Sequence, residues 1–114
     1  MVKMMIFLRR RTDLDRASFA QWWLDRHRPL AERLPGLRRY VFNLLPDGGP
    51  YDAVVEQWFE SDEAAAFAYA GVEGRDVAAD SLAHVSDRLR LRVEEHAFTP
   101  RSDLDSKGPV PASK

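Results

Sequence analysis

Residues 2–8, V-K-M-M-I-F-L, are the feature that most restricts how this chain can fold. Successive side chains of a strand point to opposite faces, so Ile6 and Leu8 share one face while Met5 and Phe7 share the other. Both faces are apolar, and three arginines follow the segment. A strand of this kind needs cover on both sides, because a large apolar surface is unfavourable in water.

Three later segments alternate in the way that strands do, at residues 37–45, 53–59 and 89–98. The sequence P-D-G-G-P at residues 46–50 separates the first two and consists of turn-forming residues. These two segments are therefore predicted to form a hairpin.

A helix is predicted between the first two strands, because apolar side chains recur there at intervals of three and four residues. The resulting stripe consists of Phe19, Trp23, His27, Leu30 and Leu34. Asp15 is a suitable N-cap, and Pro35-Gly36 ends the helix. Pro29 lacks a backbone donor, which predicts a kink or a break next to His27.

A second helical region follows the hairpin, with Ser61 as its N-cap. Gly71 and Gly74 are predicted to interrupt it before a further helical piece at residues 75–86. The inward-facing residues of that piece are predicted to be Val77, Ala78, Leu82 and Val85.

The order βαββαβ predicts an α+β protein of the ferredoxin-like class, with an antiparallel four-stranded sheet and helices on one face. The opposite face would be open and apolar, so we expect a homodimer in which two sheets face each other as a dimeric α+β barrel. Residues 1–99 are predicted to form this domain. Residues 100–114 are rich in Pro, Ser, Asp and Lys and are predicted to be a flexible C-terminal tail.

Composition excludes several classes of function. Lys and Arg total 17 and Asp and Glu 18, for a net charge of −1, which gives no reason to expect nucleic-acid or anionic-membrane binding. There is no cysteine, so disulfides, thiolate catalysis and cysteine metal sites are excluded. No segment approaches the about 20 apolar residues of a membrane span, and the N-terminal residues do not have the order of a signal peptide. We expect a cytoplasmic protein.

Four motifs together resemble the EthD family of the dimeric α+β barrel superfamily. They are H-R-P-L at 27–30, L-P-G-L-R-R-Y at 34–40, V-E-Q-W-F at 55–59 and E-E-H-A-F at 94–98. The resemblance implies a homodimer with a cavity between each sheet and its helices, and a small ligand that is often cyclic or derived from an aromatic compound. It implies no cofactor, as in the cofactor-independent monooxygenases of similar fold.

His27 and Tyr40 are the candidate catalytic residues. A methylmuconolactone methylisomerase of the family uses a histidine and a tyrosine separated by the same interval, and P-G-L-x-x-Y matches in this chain. A partly buried neutral imidazole can act as a general base near neutral pH. A tyrosine hydroxyl can donate to a developing oxyanion. Packing against the core is the alternative for both side chains.

A substrate-binding role is predicted for five further residues: Trp23, Phe42, Glu56, Trp58 and His96. The aromatic side chains would line a pocket for a flat ligand, although each could instead belong to the core. Glu56 would either orient His27 or pair with an arginine across the sheet. Glu94 and His96 share a strand face and leave open a metal or haem site, but no metal-ligand motif is present.

The function predicted from these observations is that of a cofactor-independent enzyme acting on a cyclic carbonyl, lactone or polyketide-like substrate. His27 and Tyr40 would supply acid–base chemistry for an isomerase, cyclase, lyase or monooxygenase type of reaction. The alternative is a non-catalytic dimer that binds a small ligand in a catabolic or biosynthetic pathway.

Overall fold

The computed structural model describes residues 1–100, in which one sheet is covered on one face by helices. The strands are β1 (Val2–Arg10), β2 (Leu37–Leu44), β3 (Ala53–Phe59) and β4 (Val85–Val93). The helical segments are α1 (Arg16–Trp22), a π-helical turn (Trp23–His27), α2 (Arg28–Ala31), α3 (Asp62–Ala70) and α4 (Val72–His84). Apart from Pro100, the predicted tail lies outside the described residues.

The four strands are antiparallel and lie in the order β2-β3-β1-β4, which confirms the predicted ferredoxin-like sheet. β1 is central, and Ile6 lies between Val55 of β3 and Arg90 of β4. The helices cover the face that carries Ile6 and Leu8, whose side chains are buried. Within the described residues, no helix is both long and apolar enough to cross a membrane.

The last strand begins and ends earlier than the sequence pattern predicts. The prediction placed it at residues 89–98, whereas β4 is Val85–Val93. Its pairing with β1 extends back to Val85 opposite Arg10, so α4 has to end at His84. At the end of β4, Val93 pairs with Lys3, which is the second residue of β1. A longer β4 would have almost no further residues of β1 to pair with.

The inward face of α4 also differs from the predicted one. Leu82 was expected to be buried, but it is 69% exposed, while Ser81 is 2% exposed. Gly74 does not interrupt the helix but lies inside it, among its buried residues. α4 is therefore turned so that Gly74, Val77 and Ser81 face the protein interior, at intervals of three and four residues.

Gly74 allows α4 to begin close to the end of α3. A Cβ atom at this position would lie 2.3 Å from the Cα of Tyr69 and 2.6 Å from the backbone oxygen of Ala68. Both neighbours are backbone atoms that cannot move aside as a flexible side chain could. Only glycine fits this contact.

We predict that Gly74→Ala destabilises the protein by about 1–3 kcal/mol, the usual cost of overpacking. A destabilised Gly74→Ala protein would be informative, because replacing glycine by alanine inside a helix normally stabilises the helix by about 0.5–1 kcal/mol. Gly49→Ala is the matched control, since the nearest atom to its new Cβ lies 3.9 Å away. Chemical denaturation of both variants measures the difference, and a Gly74→Ala protein as stable as the parent would contradict the close contact.

Candidate functional site

The helix that precedes β2 widens into a π-helical turn beside the candidate histidine. The backbone N–H of Arg28 donates to the carbonyl of Trp23, five residues earlier, instead of four. Pro29 follows in the first turn of α2, where its missing N–H is tolerated. The irregularity predicted from Pro29 is thus present. It leaves both Trp23 and His27 facing the interior, each 2% exposed.

His27 is paired with an acidic residue that the sequence did not single out. Its Nδ1 lies 2.8 Å from Oδ2 of Asp80, a residue of α4. The indole Nε1 of Trp22 donates to the same oxygen at 3.1 Å, and the His84 ring stacks on the Trp22 ring at 4.2 Å. Because a carboxylate only accepts hydrogen bonds, the proton lies on Nδ1 of neutral His27 and Nε2 is free to accept one.

Burial and the carboxylate act on the pKa of His27 in opposite directions. Burial is the larger cause and lowers this pKa below its ordinary value, whereas the hydrogen bond to Asp80 raises it. His27 is therefore neutral near pH 7 and able to take up a proton. Asp80 would then stabilise the imidazolium that forms.

Tyr40 reaches the same region from β2. Its hydroxyl oxygen is buried and has no hydrogen-bond partner among the described residues. Burial raises the pKa of Tyr40 well above its ordinary value, and the Trp23 side chain opposes this shift to a lesser extent. The hydroxyl remains protonated at neutral pH, so Tyr40 can donate a hydrogen bond but does not act as a phenolate base.

A small polar cavity joins these groups between the sheet and the helices. Its walls are formed by Ile6, Trp23, His27, Tyr40, Val55, Gln57, Tyr69, Val77, Ser81 and Arg88. Its volume is about 10 Å³, which is close to the minimum for one water molecule. Several polar atoms of these walls are buried without a partner in residues 1–100: Trp23 Nε1, Tyr40 Oη, Gln57 Oε1 and Ser81 Oγ. Unsatisfied buried groups in one place indicate a site for a polar guest.

Two of the five predicted substrate-binding residues belong to this region. Trp23 lines the cavity, and Phe42 stacks on the Trp23 ring at a centroid distance of 4.9 Å. Phe42 therefore supports the wall without being part of the cavity lining.

The other three lie elsewhere in the single chain. Glu56 and Trp58 alternate with Gln57 along β3 and so point to the open face of the sheet, away from His27. Glu56 forms an ion pair with Lys3 at 2.8 Å, which lowers the pKa of Glu56, and Trp58 Nε1 donates to Glu95. His96 is exposed beyond β4 and contacts Glu94. A role in substrate binding remains a prediction for these three residues.

Sequence reasoning missed most of the polar lining of the cavity. Ser81 lies on the inner side of α4 with Gly74 and Val77, but the apolar residues of this helix indicated a different inner face, and Asp80, which holds His27 from outside the cavity, was missed with it. Arg88 could not have been found, because an arginine in an edge strand is normally directed to solvent. The described residues contain no group of three His, Asp or Glu side chains able to hold a metal ion.

The arrangement defines a ferredoxin-like α+β protein with a buried histidine–aspartate pair beside a polar cavity. The EthD domain model matches residues 11–88, so the chain belongs to the EthD domain family. No curated protein matches the sequence.

Solved structures of low sequence identity share the fold. An ethyl tert-butyl ether D (EthD) family protein from Bacillus halodurans C-125 is 22% identical with a TM-score of 0.71, covering 84% of this chain and 100% of that one. A dimeric protein of unknown function from Bacteroides fragilis NCTC 9343 is 13% identical with a TM-score of 0.66, covering 82% and 95%. SnoaB, a cofactor-independent oxygenase from Streptomyces nogalater, is 16% identical with a TM-score of 0.67, covering 88% and 97%.

We predict that His27 titrates below the ordinary histidine pKa of about 6.5 and that Asp80→Asn lowers its pKa further. The first effect follows from burial and the second from loss of the carboxylate that favours the imidazolium. An NMR titration of the ring protons measures both. A His27 pKa at or above the ordinary value of about 6.5 would contradict the burial argument.

The lowered pKa of His27 also predicts how the free energy of unfolding depends on pH. Above about pH 6.5 His27 is neutral in the folded and the unfolded chain, and its contribution to stability is complete. As the pH falls below this value the unfolded chain binds the proton first, so the free energy of unfolding decreases until the folded pKa is reached. This loss should be smaller in His27→Gln than in the parent, as measured by denaturation at several pH values.

Proposed function

We propose that this protein is a cofactor-independent enzyme that transfers a proton next to a carbonyl group in a cyclic carbonyl, lactone or polyketide-like substrate. One observation carries the proposal: His27, held by Asp80, and the unpartnered hydroxyl of Tyr40 line the same internal cavity. A base and an oxyanion donor in one cavity are the two groups that enolisation requires.

His27 would act as the general base through Nε2. When Nε2 takes a proton from the substrate, the His27 ring becomes an imidazolium. The positive charge that develops on the ring is adjacent to the Asp80 carboxylate. Asp80 also lines a groove on the outer surface, where its side chain is 21% exposed. The carboxylate therefore lies between the buried imidazole and solvent, and the base is regenerated when Nε2 passes its proton to the product or to another acceptor in the cavity.

Tyr40 would stabilise the enolate oxygen. A donor that has no protein partner needs no other hydrogen bond to be broken before it binds the developing charge. Its raised pKa keeps the proton on the hydroxyl, so the group stabilises the oxyanion by hydrogen bonding.

The relatives support a cofactor-free reaction without specifying it. SnoaB is described as a cofactor-independent oxygenase, and its likeness to this chain is one of fold. Isomerisation, cyclisation, lyase chemistry and reaction of a carbanion with O₂ can each begin with loss of a proton next to a carbonyl. The His27–Tyr40 pair serves this common first step, and the rest of the substrate determines the product.

We predict that His27→Ala lowers turnover by about 10²–10⁴-fold, the usual contribution of a general base. Tyr40→Phe retains the ring and removes one oxyanion donor, which typically lowers kcat by about 10²–10³-fold. Tyr51→Phe is the control, because Tyr51 packs on Phe7 on the other face of the sheet.

The measurement is steady-state turnover of a substrate found by screening lactones and cyclic β-dicarbonyl compounds. Each variant is first shown to be folded by circular dichroism. A folded His27→Ala protein with parental turnover would reject the proposed base.

A non-catalytic binding protein is the second candidate, because the hydrogen bond to Asp80 and the packing against the Trp22 and Trp23 rings also account for His27 as a structural side chain. A volume of about 10 Å³ holds about one water molecule, so a substrate enters only if lining side chains move. A binding protein would bind its ligand in the His27→Ala variant and turn over none of the screened compounds.

We also propose that the open face of the sheet forms a homodimer. This face carries Met5 and Phe7 of β1 beside Leu89 and Leu91 of β4, and the two leucines are 42% and 43% exposed. Contiguous apolar side chains of this kind mark protein interfaces. The Bacteroides fragilis relative of the same fold is described as dimeric.

We predict that Leu91→Asp converts the dimer to a monomer at micromolar concentration, because two unpaired carboxylates would be buried between the sheets. Leu82→Asp is the control, since Leu82 is 69% exposed on α4. Sedimentation velocity measures the mass of each protein. A parental protein that sediments as a monomer would disprove the facing-sheet dimer.

A further inference from the structure

Two arginines of β4 point to the covered face of the sheet. Arg88 is paired with Leu8 and Arg90 with Ile6, and paired residues of antiparallel strands project to the same face. Leu8 and Ile6 are 0% and 3% exposed beneath the helices. The guanidinium groups of Arg88 and Arg90 therefore approach the space in which a hydrophobic core is expected.

Neither arginine has a carboxylate partner within residues 1–100. Arg88 lines the His27 cavity, while Arg90 stacks its guanidinium on the Tyr69 ring at 4.6 Å and has a buried Nε without a hydrogen bond. Arg92, two residues further along the same strand, is instead paired with Asp62 at 2.6 Å. Buried charges are usually paired, so the two inner arginines require an explanation.

The cavity that Arg88 lines carries more unpaired hydrogen-bond donors than acceptors. Among the described residues the hydroxyls of Tyr40 and Ser81 and the indole N–H of Trp23 have no partner, against two acceptors, Gln57 Oε1 and His27 Nε2, and no Asp or Glu forms the wall. Asp80 lies behind His27 and its Oδ2 already accepts from His27 and Trp22. Burial also lowers the pKa of Arg88; Tyr69 opposes this shift and Arg90 adds to it.

We infer that the cavity selects an anionic substrate, a carboxylate or an acidic enol, and that Arg88 is the residue that recognises its negative charge. A guanidinium matches a carboxylate with two parallel hydrogen bonds, and the unpartnered hydroxyls of Tyr40 and Ser81 supply neutral donors beside it. The statement that the anion is a substrate rests on the proposed function. The binding of anions can be tested without any reaction.

The test is an NMR titration with pairs of small probes of similar size and shape, one anionic and one neutral: formate against formamide, acetate against acetamide and benzoate against benzamide. The reporter is the indole N–H signal of Trp23, which lies in the cavity wall and is assigned with a Trp23→Phe variant. We expect at least one carboxylate to bind about 10-fold or more tightly than its amide, as for a charge-assisted hydrogen bond.

Arg88→Met is the decisive variant, because it retains the length of the side chain and removes the charge. It should reduce carboxylate binding to the level of the amide, about 10-fold or more, and leave amide binding unchanged. Its melting temperature should be equal to or above that of the parent, because the substitution removes an unpaired, partly buried charge. Arg92→Met is the matched control on the same strand and should bind carboxylates as the parent does.

The outcomes separate this inference from the proposed reaction. Equal binding of carboxylates and amides, no binding of either at millimolar concentration, or full carboxylate binding by Arg88→Met would each overturn it. Charge-selective binding that survives in His27→Gln and is lost in Arg88→Met would support it even if no substrate is turned over. The failure of the general base and the failure of the anion site would therefore be distinct results.

Discussion

The position of β1 between β3 and β4 is the constraint on which the rest of this structure depends. Its inner side chains Ile6 and Leu8 are almost completely buried, and the helices that bury them form one layer over one face of the sheet. Because α1 and α4 must lie side by side in that layer, Trp22 and His27 of the first helical segment are brought against Asp80 of the second. The histidine–aspartate pair is thus a consequence of covering the central strand.

Local sequence then decides how the histidine is presented. A regular helix would continue its four-residue hydrogen bonds through residues 23–28, but Pro29 clashes with the preceding turn and the chain widens instead. The widened turn keeps Trp23 and His27 both buried and brings their rings within 4.2 Å of each other. Such turns occur frequently at functional sites, where they reposition a side chain that a regular helix could not.

Periodicity in the sequence was sufficient for the order of the elements and for the sides of each strand. It placed Tyr40 and Phe42 on one side of β2, and it separated Gln57 from Glu56 and Trp58 on β3, as the structure has them. It failed at the boundary between α4 and β4, because the end of that helix is fixed by pairing of Val85 with Arg10, a contact between distant residues. It also placed Leu82 inside and overlooked Ser81, since helix packing against the sheet overrode the apolar pattern.

Only those residues of the candidate site that lie close together in the sequence could be predicted from it. His27 and Tyr40 lie on either side of one proline-glycine break, so their proximity follows from local geometry. Asp80 and Arg88 come from two other elements, and their relation to His27 depends on the tertiary packing of α4 and the register of β4. For that reason Glu56 could be offered as a partner of His27, although it lies on the other face of the sheet beside Lys3.

The buried cation on the open face of the sheet is paired with carboxylates, whereas Arg88 on the covered face is not. This difference is informative about function. On the open face Lys3 contacts both Glu56 and Glu95, at 2.8 and 2.9 Å, so a cation among apolar side chains is matched by carboxylates. On the covered face, within the described residues, Arg88 has no such partner beside a cavity in which three unpaired donors surround one unpaired amide oxygen, that of Gln57. A methionine or leucine at position 88 would fill the same space without the cost of desolvating a guanidinium. Stability alone therefore does not account for Arg88, whereas an anionic guest in the cavity would complete its pairing as Glu56 and Glu95 complete that of Lys3.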